Sequence, residues 1–255
     1  YKVKLGSNIE KCENYLAGTD EARLNDIHWA FSDNEIDAII CARGGYGAIR
    51  LINKIDYQLI RNNPKIFCGY SDITILNSVF LKHSGLITYS APMAQSDFSG
   101  EINKYTETEF FKNLTSDKTE ITANEPILYS DKTFAQGLLF GGNLSTITSL
   151  CGTDFVPDDK FIFFAEDLNE PVYKLDRYFT QLLNIDKFRN NITAIVLGDF
   201  LDIDNTDFEN DLFTNLAKEL SIPVIKGFPF THDDKKTTVP VGGFATLDKN
   251  TLMVE

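Results

Sequence analysis

No stretch of this 255-residue sequence is apolar for long enough to cross a bilayer as a helix. The sequence opens Tyr1-Lys2-Val3, with no initiator Met, so a leader peptide would lie outside it. Basic residues are outnumbered, 24 Lys and Arg against 37 Asp and Glu, giving a net charge of -13. Nucleic acid is excluded as a partner on that ground, because phosphate binding needs clustered cations. Small molecules or peptides are the expected substrates. The four cysteines Cys12, Cys41, Cys68 and Cys151 have no Cys-x-x-Cys spacing, which argues against a zinc ribbon or dithiol site and for reduced thiols in a reducing compartment. Clustered His and Cys at ligand spacing are also missing, so neither a metal nor another cofactor is expected. Both nucleotide fingerprints fail as well. Counted from Gly45, Arg50 stands where Gly-x-Gly-x-x-Gly needs its last glycine, and no Gly-Lys-Ser/Thr occurs.

What is present is an ordinary globular composition, 43% hydrophobic with 16 Gly and 8 Pro. Short apolar runs at 37–42, 65–68 and 85–89 alternate with helical patterns at 20–31, 47–55 and 72–82, after a first strand expected at 1–5. That alternation predicts an α/β fold with a parallel, doubly wound sheet, which binds ligands outside the carboxyl ends of its strands. Beyond Gly100 the texture becomes polar, with one helix expected at 103–114. Strands follow at 136–144, 160–166, 194–198 and 223–225, interrupted by helices at 172–183 and 207–220. Residues 237–255 alternate like a hairpin turning at Asp248-Lys249-Asn250. The expected division is a Rossmann-like unit over 1–100, a linker over 101–130, and an α+β, barrel-like unit over 131–255.

Two motifs follow strands of the first unit: Arg43-Gly44-Gly45-Tyr46-Gly47 and Gly69-Tyr70-Ser71-Asp72. Ser71 falls at a strand-to-helix turn, where a hydroxyl is presented beside backbone N–H groups that have no partner within the helix. This is the arrangement of a nucleophile elbow, although Ile73 replaces the second glycine of Gly-x-Ser-x-Gly. Capping of the helix by Ser71 is the alternative. A serine nucleophile needs a base and a carboxylate that orients it. Of the three histidines, His28 reads as a packing residue and His83 lies roughly 15 Å of helix beyond Ser71. His232, in the polar loop Thr231-His232-Asp233-Asp234, is left as the candidate base. Glu166 ends a strongly apolar strand and is the candidate acid, with Asp167 or Glu170 flanking the next helix as the competing reading.

The stretches 42–48 and 69–72, Gly141-Gly142-Asn143-Leu144 with Gly152-Thr153, Glu166-Asp167 with Arg177, and Phe230-Thr231-His232 together resemble the LD-carboxypeptidases. That serine-peptidase family also contains the microcin-immunity peptidases. The resemblance implies Ser71 as nucleophile, His232 as base, Glu166 as its orienting acid, and an oxyanion hole from the N–H groups of Gly45 and Asp72. It implies a Rossmann-like domain joined to a barrel-like one, preceded in the family by a strand and helix that this sequence is expected to lack. The implied activity is removal of terminal D-alanine from a diamino acid such as meso-diaminopimelate in murein tetrapeptides, by a cytoplasmic homodimer engaged in cell-wall recycling. Arg43 is the candidate contact for the substrate carboxylate. A microcin-immunity type of peptidase, cleaving an aminoacyl-nucleotide amide, is the second reading. A noncatalytic phosphate-binding module around the Gly-rich loop is the third.

Overall fold

The computed structural model describes residues 2–255 and contains two sheets. The first has the order β1-β2-β3-β10, with β1 (Ala38–Ile40), β2 (Ile66–Cys68) and β3 (Thr88–Ser90) parallel. Helices α1 (Asp20–Ser32), α2 (Tyr57–Asn62) and α3 (Thr74–Ser84) connect and cover these strands. The fourth strand, β10 (Val239–Val241), arrives from far along the chain and runs antiparallel to β3. It is an edge strand, where Pro240, which has no N–H to give a ladder, is tolerated.

The second sheet has the order β4-β12-β11-β6-β7-β8-β9-β5. Its centre is β6 (Phe134–Asn143), β7 (Phe161–Leu168), β8 (Ile192–Leu201) and β9 (Val224–Lys226), all parallel. The crossovers between them carry α5 (Leu144–Thr148), α6 (Val172–Leu183) with α7 (Asp186–Asn191), and α8 (Thr206–Leu220). β11 (Phe244–Asp248) and β12 (Thr251–Val254) form a hairpin turning where expected, with Lys249 left-handed in its turn, but it is shorter than the expected 237–255 because Val239–Val241 pairs in the first sheet instead. A single segment then joins the two edges. β4 (Thr119–Thr122) pairs with β12, and after four intervening residues β5 (Ile127–Leu128) pairs with β9. Between them the Ala123 N–H donates to Asn250 and the Asn124 N–H to Gly227. The sheet therefore curls into a barrel-like form, which leaves few open edges.

Strand periodicity sorts the core into two layers. On β7 and β8, Ile162, Phe164, Ala194 and Val196 pack inside the curled sheet with Ile225, Phe230 and Leu247. Their sequence neighbours Phe161, Phe163, Ile195 and Leu197 face the helices and join a larger cluster that reaches Phe31, Phe67 and Phe80 under the first sheet. α3 lies between the two sheets, and every residue from Thr74 to Phe80 is buried. The segment read as a linker carries α4 (Lys104–Thr115), whose Phe110 packs with Cys68 of the first sheet and Ala91 just after β3.

Two expectations fail. Residues 2–5 form no strand, and Val3 and Leu5 are exposed, because their alternation finds no ladder partner. Residues 47–55 form only a 3-10 turn at Ala48–Arg50 followed by turns, and the helix comes later as α2, capped by Asp56.

Candidate active site

The Ser71 backbone is left-handed, with φ 61. A non-glycine residue rarely adopts that conformation, and where it does the strain is concentrated at functional turns. Ser71 opens a 3-10 turn, Ser71–Ile73, that leads directly into α3, so it does not cap the α-helix in the ordinary way. Its close neighbour is the loop after β1. A methyl group on Gly44 would stand 2.9 Å from Ser71 Cβ and 3.1 Å from its Oγ. Gly45 holds φ 106, which turns the loop back over the serine.

A side chain ties the two turns together. The buried Asp72 carboxylate accepts the Ala48 N–H at 2.9 Å. Burial raises its pKa, and the nearby Ala48 and Gly47 N–H groups oppose that rise. The aspartate chosen for its own N–H thus also anchors the Gly-rich loop.

Glu166 and Asp167 have different surroundings, since adjacent strand residues point to opposite faces. Glu166, 5% exposed, receives His232: Nδ1 and Oε2 are 2.6 Å apart. Asp167 instead accepts the Ser145 and Leu168 N–H groups and the Asn143 amide, fixing the start of α5. The ladder to β8 is irregular between Ala165 and Asp167, a local bulge of the kind that re-aims side chains beside sites. Neither Asp167 nor Glu170 starts α6. Asp204 accepts the Val172 N–H there, while Glu170 pairs with Lys174.

His232 is carried by a loop secured at both ends. Phe230 is buried in the barrel against Phe164, and its carbonyl accepts the Asp199 N–H. Downstream, the Thr106 hydroxyl of α4 donates to the Asp234 carbonyl and accepts the Lys236 N–H. The Tyr70 ring packs edge-on against the imidazole, 5.0 Å between centroids. His28 and His83 sit elsewhere: the first accepts the Asp56 N–H, the second packs against the Tyr57 ring at a tilt.

Ser71, His232, Arg43, Gly44 and Gly45 line one open cavity of ≈ 350 Å³ together with Tyr70, Met93, Gln95 and Ser96. Among the described residues Ser71 Oγ makes no hydrogen bond to His232, and the exposed Arg43 side chain has no hydrogen-bond or ion-pair partner. Because a carboxylate can only accept, Nδ1 of His232 carries the proton and Nε2 is left as an acceptor. No acidic side chain lines the cavity, so it favours an anionic ligand. The wall made by Met93 to Ser96 was not anticipated from the sequence. It follows β3, and the Ala94 and Gln95 N–H groups bond to the Cys41 and Ala42 carbonyls. Its position beyond a parallel strand's carboxyl end was the available signal.

Family models described as the LD-carboxypeptidase N-terminal domain and the LD-carboxypeptidase C-terminal domain match residues 1–91 and 136–247. A Bacillus subtilis (strain 168) protein named probable murein peptide carboxypeptidase is 35% identical over 274 residues, covering 100% of this chain and 82% of its own. The chain belongs to the LD-carboxypeptidase family.

Solved structures agree with this LD-carboxypeptidase assignment. The muramoyltetrapeptide carboxypeptidase of Oxalobacter formigenes is 32% identical with a TM-score of 0.84, over 95% of this chain and 86% of that one. Microcin C7 self-immunity protein MccF, known from Escherichia coli, has been solved in complex with aspartyl sulfamoyl adenosine. That structure is 25% identical with a TM-score of 0.86, over 98% of this chain and 85% of that one. The LD-carboxypeptidase fold, with its two mixed sheets, is therefore the fold of this chain, and its class is serine peptidase.

Proposed function

We propose that Ser71, His232 and Glu166 are the working triad of this peptidase and that it removes D-alanine from murein tetrapeptides. The observation that carries this reading is the convergence of Ser71 and His232 on one cavity, with Glu166 hydrogen-bonded to the far side of the imidazole. Ser71 Oγ attacks the carbonyl carbon of the amide while its proton passes to His232 Nε2. Glu166 stabilises the imidazolium through Nδ1–H. The Gly45 and Asp72 N–H groups stabilise the tetrahedral oxyanion. Collapse breaks the C–N bond, His232 returns the proton to the departing D-alanine amine, and water then cleaves the acyl-serine by the same route. Arg43, free at the cavity rim, pairs with the terminal carboxylate of the substrate.

The diamino acid on the acyl side is meso-diaminopimelate or a close analogue, the place of action is the cytoplasm, and the role is cell-wall recycling by a homodimer. The units 1–100 and 131–255 supply the nucleophile and the Glu–His pair respectively. Mass spectrometry of L-Ala-D-Glu-meso-diaminopimelate-D-Ala incubated with the protein tests this. Loss of one D-alanine is expected, with kcat at least about a thousandfold lower for Ser71→Ala. Cleavage of aspartyl sulfamoyl adenosine but not the tetrapeptide would instead move the substrate to the microcin class.

A further inference from the structure

Three stretches far apart in sequence meet beside His232. Lys236, only 4% exposed, forms an ion pair with Asp97 at 2.6 Å. The same ammonium lies 3.1 Å from the Tyr70 hydroxyl and 4.4 Å from the centre of its ring. Asp97 also accepts the Met93 N–H at 2.8 Å, which folds the 93–97 wall of the cavity onto itself. Tyr70 directly precedes Ser71 and packs against His232. A small chamber of ≈ 20 Å³ is lined by Tyr70, Glu166 and Lys236, so the ammonium and the triad carboxylate share one enclosed space.

A buried ion pair is a poor source of stability, since desolvating both charges offsets most of their attraction. Its cost is better explained by what it orients. We infer that Lys236, held by Asp97, is a positioning residue that fixes Tyr70 against His232 and sets the basicity of the imidazole. This rests on the reading of His232 as the base.

The charged and titratable groups around the imidazole are Glu166 from β7, Arg43 from the Gly-rich loop, and Tyr70 from the serine turn. Asp97 stands behind Tyr70, paired with Lys236, and Lys236, Asp233 and Asp234 belong to the loop of His232 itself. Burial alone would lower the Lys236 pKa, but Asp97 and Tyr70 outweigh it and hold the lysine charged. With both partners present their charges largely cancel at His232, and removing either one leaves the other uncompensated. Lys236→Met leaves the Asp97 carboxylate uncompensated on that side of the site, a charge that favours imidazolium. Asp97→Asn does the opposite.

The test is kcat/KM against pH for the wild type, Lys236→Met, Asp97→Asn and the double variant, with Ser71→Ala and His232→Ala as references. The acid limb is expected to move up by about half a pH unit or more in Lys236→Met and down by a similar amount in Asp97→Asn. It should return towards the wild-type position in the double variant. Limbs that stay put, or move in the same direction, overturn the inference while leaving the triad intact. Activity that survives in His232→Ala would overturn the triad itself. Tyr70→Phe removes a single hydroxyl and supplies an answer if the charge variants do not fold. A severalfold fall in kcat at unchanged KM supports positioning through Tyr70, and an unchanged kcat overturns it.

Discussion

The nucleophile and its base are held by different physical means. Around Ser71 most of the work is done by backbone, with the Asp72 carboxylate as a side-chain tie: three-residue strands, a left-handed φ at the serine, and a glycine loop that approaches within a methyl's width. Around His232 the backbone is an irregular loop, and side chains hold it in place: Glu166, Tyr70, Lys236 and the Thr106 hydroxyl. A backbone-built turn tolerates no added atom, whereas a side-chain-built loop can lose one tie and keep the rest. The two halves should therefore fail differently. Damage to the serine side should be nearly all-or-none in activity, and damage to the histidine side should be graded.

Gly44→Ala is the sharpest test of the first half. Gly44 is not among the left-handed glycines, so alanine meets no backbone penalty there, and the new methyl clashes only with Ser71. The serine must shift, and a displacement of about 1 Å from the attack geometry costs roughly a hundredfold in rate. We expect kcat to fall by about that factor while the melting temperature barely changes. Retained kcat would mean that the serine turn is softer than its geometry implies.

The histidine side was also the harder half to see in the sequence. Its long strands were legible, since β7 and β8 are unbroken apolar runs and α6 has one apolar stripe. So was the elbow, because Gly69-Tyr70-Ser71 lies between a strand and a helix and both features survive folding. Lys236 and Asp97 are 139 residues apart, and no local pattern announces such a pair. Likewise α4 was legible as a helix, but nothing in its sequence shows that Thr106 holds the histidine loop. β10 is three residues around a proline, too short for periodicity, and its partner lies in the other sheet. Local periodicity reports elements, while contacts between elements depend on topology that one sequence does not display.

Thr106→Val probes one tie of the graded half. Valine keeps the shape but removes the hydroxyl that serves both the Asp234 carbonyl and the Lys236 N–H, and each group left unpaired costs about 1–3 kcal/mol. The loop loses one anchor and keeps Glu166 and Tyr70. The expected result is a lower melting temperature with kcat down only about three- to tenfold, because the imidazole remains bonded to Glu166. The His232 Nδ1–H proton resonance should broaden but persist. A hundredfold loss would erase the contrast with Gly44→Ala.

The smallest effect should come from a cluster outside the cavity. Asp20, the first residue of α1, accepts from Arg50, Lys54 and Arg23, linking that helix to the turns after the Gly-rich loop. The Arg50 and Lys54 bonds, with Arg23 behind them, hold its carboxyl well below the ordinary range. A carboxylate depressed in the folded state stabilises the fold above its unfolded pKa, near 4, and loses that contribution as pH falls through the folded value. Asp20→Asn should leave activity at neutral pH unchanged. Below about pH 4 its melting temperature should fall less steeply than that of the wild type. The difference should shrink in high salt, because the cations are partly exposed and screened. A loss of activity at neutral pH would show that the N-terminal helix transmits strain to the Gly-rich loop. The backbone-built half of the site would then extend as far as Asp20.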